Sequence, residues 1–176
     1  MDTITLGAFA RSGNHYFQHL VETALISVHC DWLSHRISDW DNKPNRVTIV
    51  RNPLDCVTSW ISTTHDSRHD RAEKVLEWYL VYHQVVLTKQ IMVLTFDELT
   101  CNPLHTINRV CDRYAINRSF FSSNETLTAA MNSDFDFIWA NWTDKIDYPI
   151  IQQEIRSSSL YSAAVDLFEA LCVHAG

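Results

Sequence analysis

Thr3-Ile4-Thr5-Leu6-Gly7-Ala8-Phe9-Ala10-Arg11-Ser12-Gly13-Asn14-His15-Tyr16-Phe17 is the stretch on which the reading of the chain turns. Thr3 to Phe9 is mostly β-branched or apolar and reads as a short strand, and Ala10 to Asn14 reads as a polar turn. Beyond it Tyr16, Phe17, Leu20, Val21, Ala24 and Leu25 recur at helical spacing, which predicts a helix with one face on a sheet. A strand, a glycine-bearing turn and a helix together open a nucleotide-binding α/β unit.

The pattern then repeats downstream. Arg46 to Val50 is a β-branched strand that runs into Arg51-Asn52-Pro53, where proline suits the first turn of a helix carrying Cys56, Val57, Trp60 and Ile61. A longer helix is predicted from about Arg71 to Lys89, with Val75, Leu76, Tyr79, Tyr82, His83 and Val86 on its apolar face. Ile91 to Phe96 is nearly continuous in apolar residues, as in a strand covered on both faces. Asp97-Glu98-Leu99 reads as a turn and Pro103 to Tyr114 as a helix. Ile151, Ile155 and the run Leu160 to Val173 predict helix packed across the sheet edge. Strands alternating with helices imply a three-layer α/β domain with a short central parallel sheet flanked by helices, and residues 1–176 read as a single domain.

Composition narrows the partners. With 46% hydrophobic residues, six Trp and eight Phe in 176 residues, the chain can bury a sizeable core and does not fit the composition of disorder. A formal net charge of −7 gives no basic stripe for a nucleic-acid backbone, so nucleic acid is not an expected partner. No apolar stretch approaches the roughly 20 residues that span a bilayer, and the start of the chain lacks a leader pattern. No membrane partner and a cytoplasmic location are therefore expected. The scattered Cys30, Cys56, Cys101, Cys111 and Cys172 are expected as reduced, mostly buried thiols.

Two segments are suited to phosphate. At the first strand–helix junction, helix N–H groups can face an anion, Gly13 lets the backbone approach it, and Arg11 adds a permanent charge. The pattern lacks GxxxxGK[ST], which disfavours metal-dependent ATP or GTP chemistry. In the second segment, Arg51 stands at the C-terminal end of a strand and Ser59 two helical turns further on, near enough to share an anion. Taken singly, Ser12 and Asn14 also suit a helix cap, and Arg51 also suits a pairing with Asp55.

Together these segments resemble the sulfotransferase family. Arg11-Ser12-Gly13-Asn14-His15-Tyr16 is similar to that family's K-S-G-T-T-W loop for the 5′-phosphosulfate. Arg51-Asn52-Pro53-Leu54-Asp55-Cys56-Val57-Thr58-Ser59 matches its R-x-P-x-D-x-x-x-S segment for the 3′-phosphate at every fixed position. Leu94-Thr95-Phe96-Asp97-Glu98-Leu99-Thr100-Cys101-Asn102-Pro103 resembles its Y-E-D-L-x-x-x-P stretch. The resemblance implies a P-loop-like fold and sulfuryl transfer from 3′-phosphoadenosine 5′-phosphosulfate (PAPS) to a hydroxyl or amine of a small-molecule or glycan-like acceptor. It implies PAP as the other product and no metal. Arg11, Ser12, Gly13, Asn14, His15, Tyr16, Arg51 and Ser59 would then hold the nucleotide.

The chain departs from the family at Arg11, which replaces lysine, and at Asn14 and His15, which replace two hydroxyl residues. It also lacks a glycine-rich basic segment near its C-terminus, Ile155-Arg156-Ser157-Ser158-Ser159 being the nearest substitute. The resemblance places the acceptor's base between the first helix and the 3′-phosphate strand, where His35 is the candidate and His15 its rival, with Arg11 stabilising the leaving phosphate. A nucleotide-binding module without turnover and a small P-loop kinase are the alternatives. His65 and His69, one helical turn apart, read as loop residues rather than metal ligands. Phe135, Phe137, Trp139 and Trp142 suit either an acceptor pocket or a core.

Overall fold

Two separate cores lie one on either face of a parallel four-stranded sheet ordered β2-β1-β3-β4, and alternate residues of the strands β3 and β4 point into both. The computed structural model describes residues 2–32, 40–63, 71–89, 91–134 and 148–175. The strands are β1 (Asp2–Leu6), β2 (Val28–Trp32), β3 (Arg46–Val50) and β4 (Met92–Thr95). Ile4 and Leu6 of β1, Val47 and Ile49 of β3 and Leu94 of β4 fill one core, and Val50 and Val93 fill the other. Such period-two burial on both faces requires helices on both sides.

Helices α1 (Asn14–Ala24), α4 (Phe96–Cys101), α5 (Pro103–Tyr114) and α6 (Asn124–Asp134) cover the first face through Phe17, Leu20, Val21, Leu99, Ile107, Val110, Leu127 and Met131. Helices α2 (Pro53–Thr63), α3 (Arg71–Thr88), α7 (Tyr148–Ser157) and α8 (Tyr161–Ala175) cover the second through Cys56, Val57, Leu76, Tyr79, Ile155 and Leu171. The chain is thus a three-layer α/β fold, as the sequence predicts. The terminal helix α8 lies against α3 and the edge strand β4. Among the described residues no helix is long and apolar enough to cross a membrane.

Several elements differ from the sequence expectation, among them the strand read as Ile91 to Phe96, which is Met92–Thr95 with Phe96 opening the next helix. The sheet has a fourth strand, β2, which pairs in parallel with β1 from Asp2↔Val28 to Leu6↔Trp32. Its Val28 and Cys30 are buried while His29 between them is exposed, so the apolar signal is only two residues deep. Strand pairing of β1 ends at Leu6 rather than Phe9, although Gly7 N still donates to Val47 O at 3.0 Å. At Gly7 the indole of Trp40 lies where a side chain would stand, 2.0 Å from an ideal Cβ. Finally, Asp97-Glu98-Leu99 belongs to a short helix rather than a turn, because Thr95 caps it by accepting from Glu98 N at 3.1 Å.

Candidate functional site

The order β2-β1-β3-β4 makes the junction of β1 and β3 a topological switch point. After β1 the chain enters α1 on one face, and after β3 it enters α2 on the other. The two helices diverge and leave a crevice at the strand ends, where ligands of open α/β sheets bind. Both segments named from the sequence as candidates for phosphate stand at this crevice.

The first is shaped by two left-handed residues, Arg11 (φ 66°) and Gly13 (φ 101°), with Ser12 N donating to Phe9 O at 3.3 Å. The turn leads straight into the N-terminus of α1, where the first backbone N–H groups have no intrahelical partner. Gly13 is required on two counts: its φ, and the ring of Phe96, whose Cδ2 would lie 2.8 Å from an added Cβ. Gly13 caps α1 without a side-chain hydrogen bond, and the first turn of α1 contains no acidic residue. Nothing anionic on α1 itself therefore competes for its N-terminal dipole.

Side chains of this loop divide by exposure. His15 is exposed, and Arg11 and Tyr16 are partly buried, with burial raising the Tyr16 hydroxyl pKa. Asn14 is buried, and its Oδ1 has no hydrogen-bond partner. Ser12 is wholly buried and its hydroxyl faces Cys56 at 3.5 Å, so it does not present that hydroxyl to the crevice.

The second segment leaves β3 at Arg51. Asn52 opens α2 by accepting from Leu54 N at 2.9 Å, and Pro53 occupies the first helical position. Asp55 is exposed and Arg51 does not pair with it. Arg51 Nη1 instead donates to Arg11 O at 3.1 Å, while its guanidinium lies 4.4 Å from the centroid of the Phe96 ring. Two turns into α2, Ser59 Oγ accepts from Arg11 Nε at 3.1 Å. Arg11, Arg51 and Ser59 therefore converge across the crevice. Burial, and then the charge of Arg51, lower the Arg11 pKa, as expected where two guanidinium groups are held close.

Three residues of the site carry little functional signal in the sequence. Tyr79 on α3 donates its hydroxyl to Arg51 O at 2.9 Å and fixes the strand end that carries the arginine. Phe96 stands between Gly13 and Arg51. Cys56 Sγ donates to Ala10 O at 3.1 Å. Each reads from its pattern as an ordinary core residue, and only the position of its polar or aromatic edge sets it apart.

His35, the base candidate, lies outside the described residues, as do His65, His69, Phe135, Phe137, Trp139 and Trp142. Among the described residues no group of three or more His, Cys, Asp or Glu side chains is gathered to hold a metal ion. The donors that do converge are guanidinium groups, a hydroxyl and helix N–H groups, a set that matches anionic oxygen.

Comparison with known proteins agrees with this geometry. A search of the curated proteins finds no match. A family model described as the sulfotransferase domain matches residues 9–157, a span that begins at the loop after β1 and takes in both candidate segments, and the chain belongs to that family.

Proposed function

We propose that this sulfotransferase uses PAPS as donor and a hydroxyl or amine as acceptor. The observation that carries the reading is the convergence of Arg11, Arg51 and Ser59 at the switch point of the sheet. The resemblance of their segments to the family's 3′-phosphate and 5′-phosphosulfate motifs supports giving Arg51 and Ser59 to the 3′-phosphate, and the loop from Arg11 to Tyr16 to the 5′-phosphosulfate. An all-donor set suits a ligand with two separated anionic groups.

In this reading the acceptor oxygen or nitrogen attacks sulfur in line with the bond to the 5′-phosphate. The new S–O or S–N bond forms as the old S–O bond breaks, and PAP departs with the electron pair. Arg11 and the N–H groups at the start of α1 stabilise the charge that develops on the leaving phosphate. The acceptor proton passes to a base, which we assign to His35 on its place in the chain order, with His15 at the exposed start of α1 as the rival. The acceptor is a small molecule or a glycan-like chain. The five thiols are free, in keeping with a reducing compartment, and we place the protein in the cytoplasm.

A second reading, a nucleotide-binding module without turnover, has one observation in its favour. The Ser12 hydroxyl is buried against Cys56, and Asn14 and His15 supply no hydroxyl in its place. Calorimetry with PAP, AMP and the variants Arg51→Ala and Ser59→Ala tests the site. Tight PAP binding that both variants weaken, with poor AMP binding, is expected. No PAP or PAPS binding at millimolar concentration would sink both readings. Sulfate transfer from labelled PAPS across a panel of hydroxyl and amine acceptors then separates the enzyme from the module, and His35→Ala against His15→Ala separates the bases.

A further inference from the structure

Four of the side-chain hydrogen bonds among the described residues join the loop after β1 to the segment after β3, and they differ in what a bound anion does to them. Arg11 Nε to Ser59 Oγ and Arg51 Nη1 to Arg11 O use guanidinium donors that are only partly buried. In the proposed function those donors turn toward phosphate. The other two contacts meet at one sulfur, with Cys56 Sγ donating to Ala10 O at 3.1 Å and Ser12 Oγ 3.5 Å away. Both Cys56 and Ser12 are wholly buried, so no ligand reaches them.

The hydrogen bonding at the sulfur has one consistent assignment. A thiol has a single proton, and Ala10 O is a pure acceptor, so the Cys56 proton goes to it. Ser12 must then donate its own hydroxyl proton to the sulfur. The result is a directed relay, Ser12 O–H to Cys56 Sγ and Cys56 S–H to Ala10 O, that grips the loop on both sides of Arg11. Burial pushes the Cys56 thiol up to about 11, so it keeps the proton it donates across the neutral range.

We infer that Cys56 is a positioning residue that holds the two anion-binding segments at the spacing of a 3′,5′-bisphosphate, through Ala10 and Ser12. The inference rests on the nucleotide reading above. Cys56 touches no ligand. It sits one turn before Ser59 on α2, so it ties the element that carries the 3′-phosphate hydroxyl to the loop assigned to the 5′ end. The segments otherwise leave the sheet toward opposite faces. Without the clasp each half-site survives, but their separation is less tightly fixed, and a ligand that must satisfy both loses part of the advantage of a preset distance.

The test compares PAP, AMP and adenosine 3′-monophosphate by calorimetry on the wild type, Cys56→Ala and Cys56→Ser. Wild type should bind PAP far more tightly than either monophosphate. Cys56→Ala should weaken PAP by roughly three- to tenfold while leaving each monophosphate within about twofold, a selective loss that general destabilisation does not produce. Cys56→Ser keeps a donor of similar size and should restore most of the PAP advantage. An unchanged PAP advantage in Cys56→Ala, an equal loss for all three ligands, or a serine variant as weak as the alanine one would each overturn the clasp. A wild-type protein that binds none of the three overturns the nucleotide reading itself, and is distinguished from failure of the clasp by that first titration.

Discussion

Arg11 Nε lies 3.1 Å from Ser59 Oγ, so a residue of the loop after β1 and one two turns into α2 touch across the crevice. Arginine and lysine differ in fork geometry but share a charge. If charge is what the loop supplies to phosphate, Arg11→Lys should keep PAP affinity within about threefold and Arg11→Ala should lose about 10- to 100-fold, the range of a hydrogen bond to a charged group. Titration calorimetry at fixed ionic strength reads the difference. Equal losses in the two variants would show that the guanidinium fork, not its charge, is what the site needs.

Gly13 is set by backbone and by space together. Gly13→Ala should cost about 2 kcal/mol and lower the melting temperature by roughly 4–8 °C in a chain of this size. Adding Phe96→Leu relieves the contact with the ring but leaves φ at 101°, so it should recover only part of the loss. Full recovery in the double variant would show that the ring alone excludes a side chain at 13.

Tyr79 supports the site from beneath. Tyr79→Phe removes the hydroxyl bonded to Arg51 O and leaves the ring in place. A stability loss of about 1 kcal/mol is expected in chemical denaturation. Binding should change in a directed way, with affinity for adenosine 3′-monophosphate falling and affinity for AMP held, because the arginine assigned to the 3′ end is the one released. Equal losses for the two ligands would point to general loosening instead.

His83 provides a pH signature of the core behind the site. It is wholly buried beside Phe9, Tyr79 and Tyr82, and its Nδ1 lies 2.8 Å from Tyr79 O, so Nδ1 carries the proton. Burial lowers its pKa from 6.5 to about 4. Between those values the unfolded chain takes up a proton that the folded one refuses. Stability therefore falls as pH is lowered through that window and levels off below it, by an amount on the order of 3 kcal/mol. Urea midpoints measured from pH 7 to pH 4 should fall less steeply for His83→Phe than for wild type. Parallel curves would assign the acid sensitivity to other groups.

The parts of this fold that could be read from sequence are those in which one physical signal dominates. Helix α5 is marked at both ends, by Pro103 and by the close of its apolar stripe at Tyr114, and it runs between those residues. Strand β3 is a pure β-branched run and Arg51 follows it directly, so the arginine's place at the strand end follows from the order of residues alone. Strand β2 alternates over only five residues, with His29 and Asp31 between its apolar members, and its partner in pairing is set by tertiary contact with β1. Helix α6 has few apolar positions, and it is held by Leu127 and Met131 and by its first residue, Asn124, whose Oδ1 accepts from Leu104 N.

In the site, the charged residues were legible and their supports were not. Arg11, Arg51 and Ser59 stand in short patterns that resemble the family's motifs, and the fold brings them together at one sheet edge. Ser12 follows the same pattern, yet its hydroxyl turns inward, because a buried thiol one layer below offers it a partner. Tyr79 and Cys56 look like any buried aromatic or small residue along the chain, and their polar atoms acquire a role only when α2 and α3 are packed beneath the loops.

The placement of the two loops on opposite helical layers has a mechanical consequence. Phe9 is rooted in the core under α2 and α3, while Phe17, one turn from the same loop, is rooted in the core under α1 and α5. Any ligand gripped by both segments becomes a cross-brace between the two halves of the molecule, and strain in either core is felt as a change in the gap it spans. Substitutions far from the crevice, in Leu20 or Val75, then act on the site as a loosened hinge acts on a latch, by altering alignment while every gripping part remains in place.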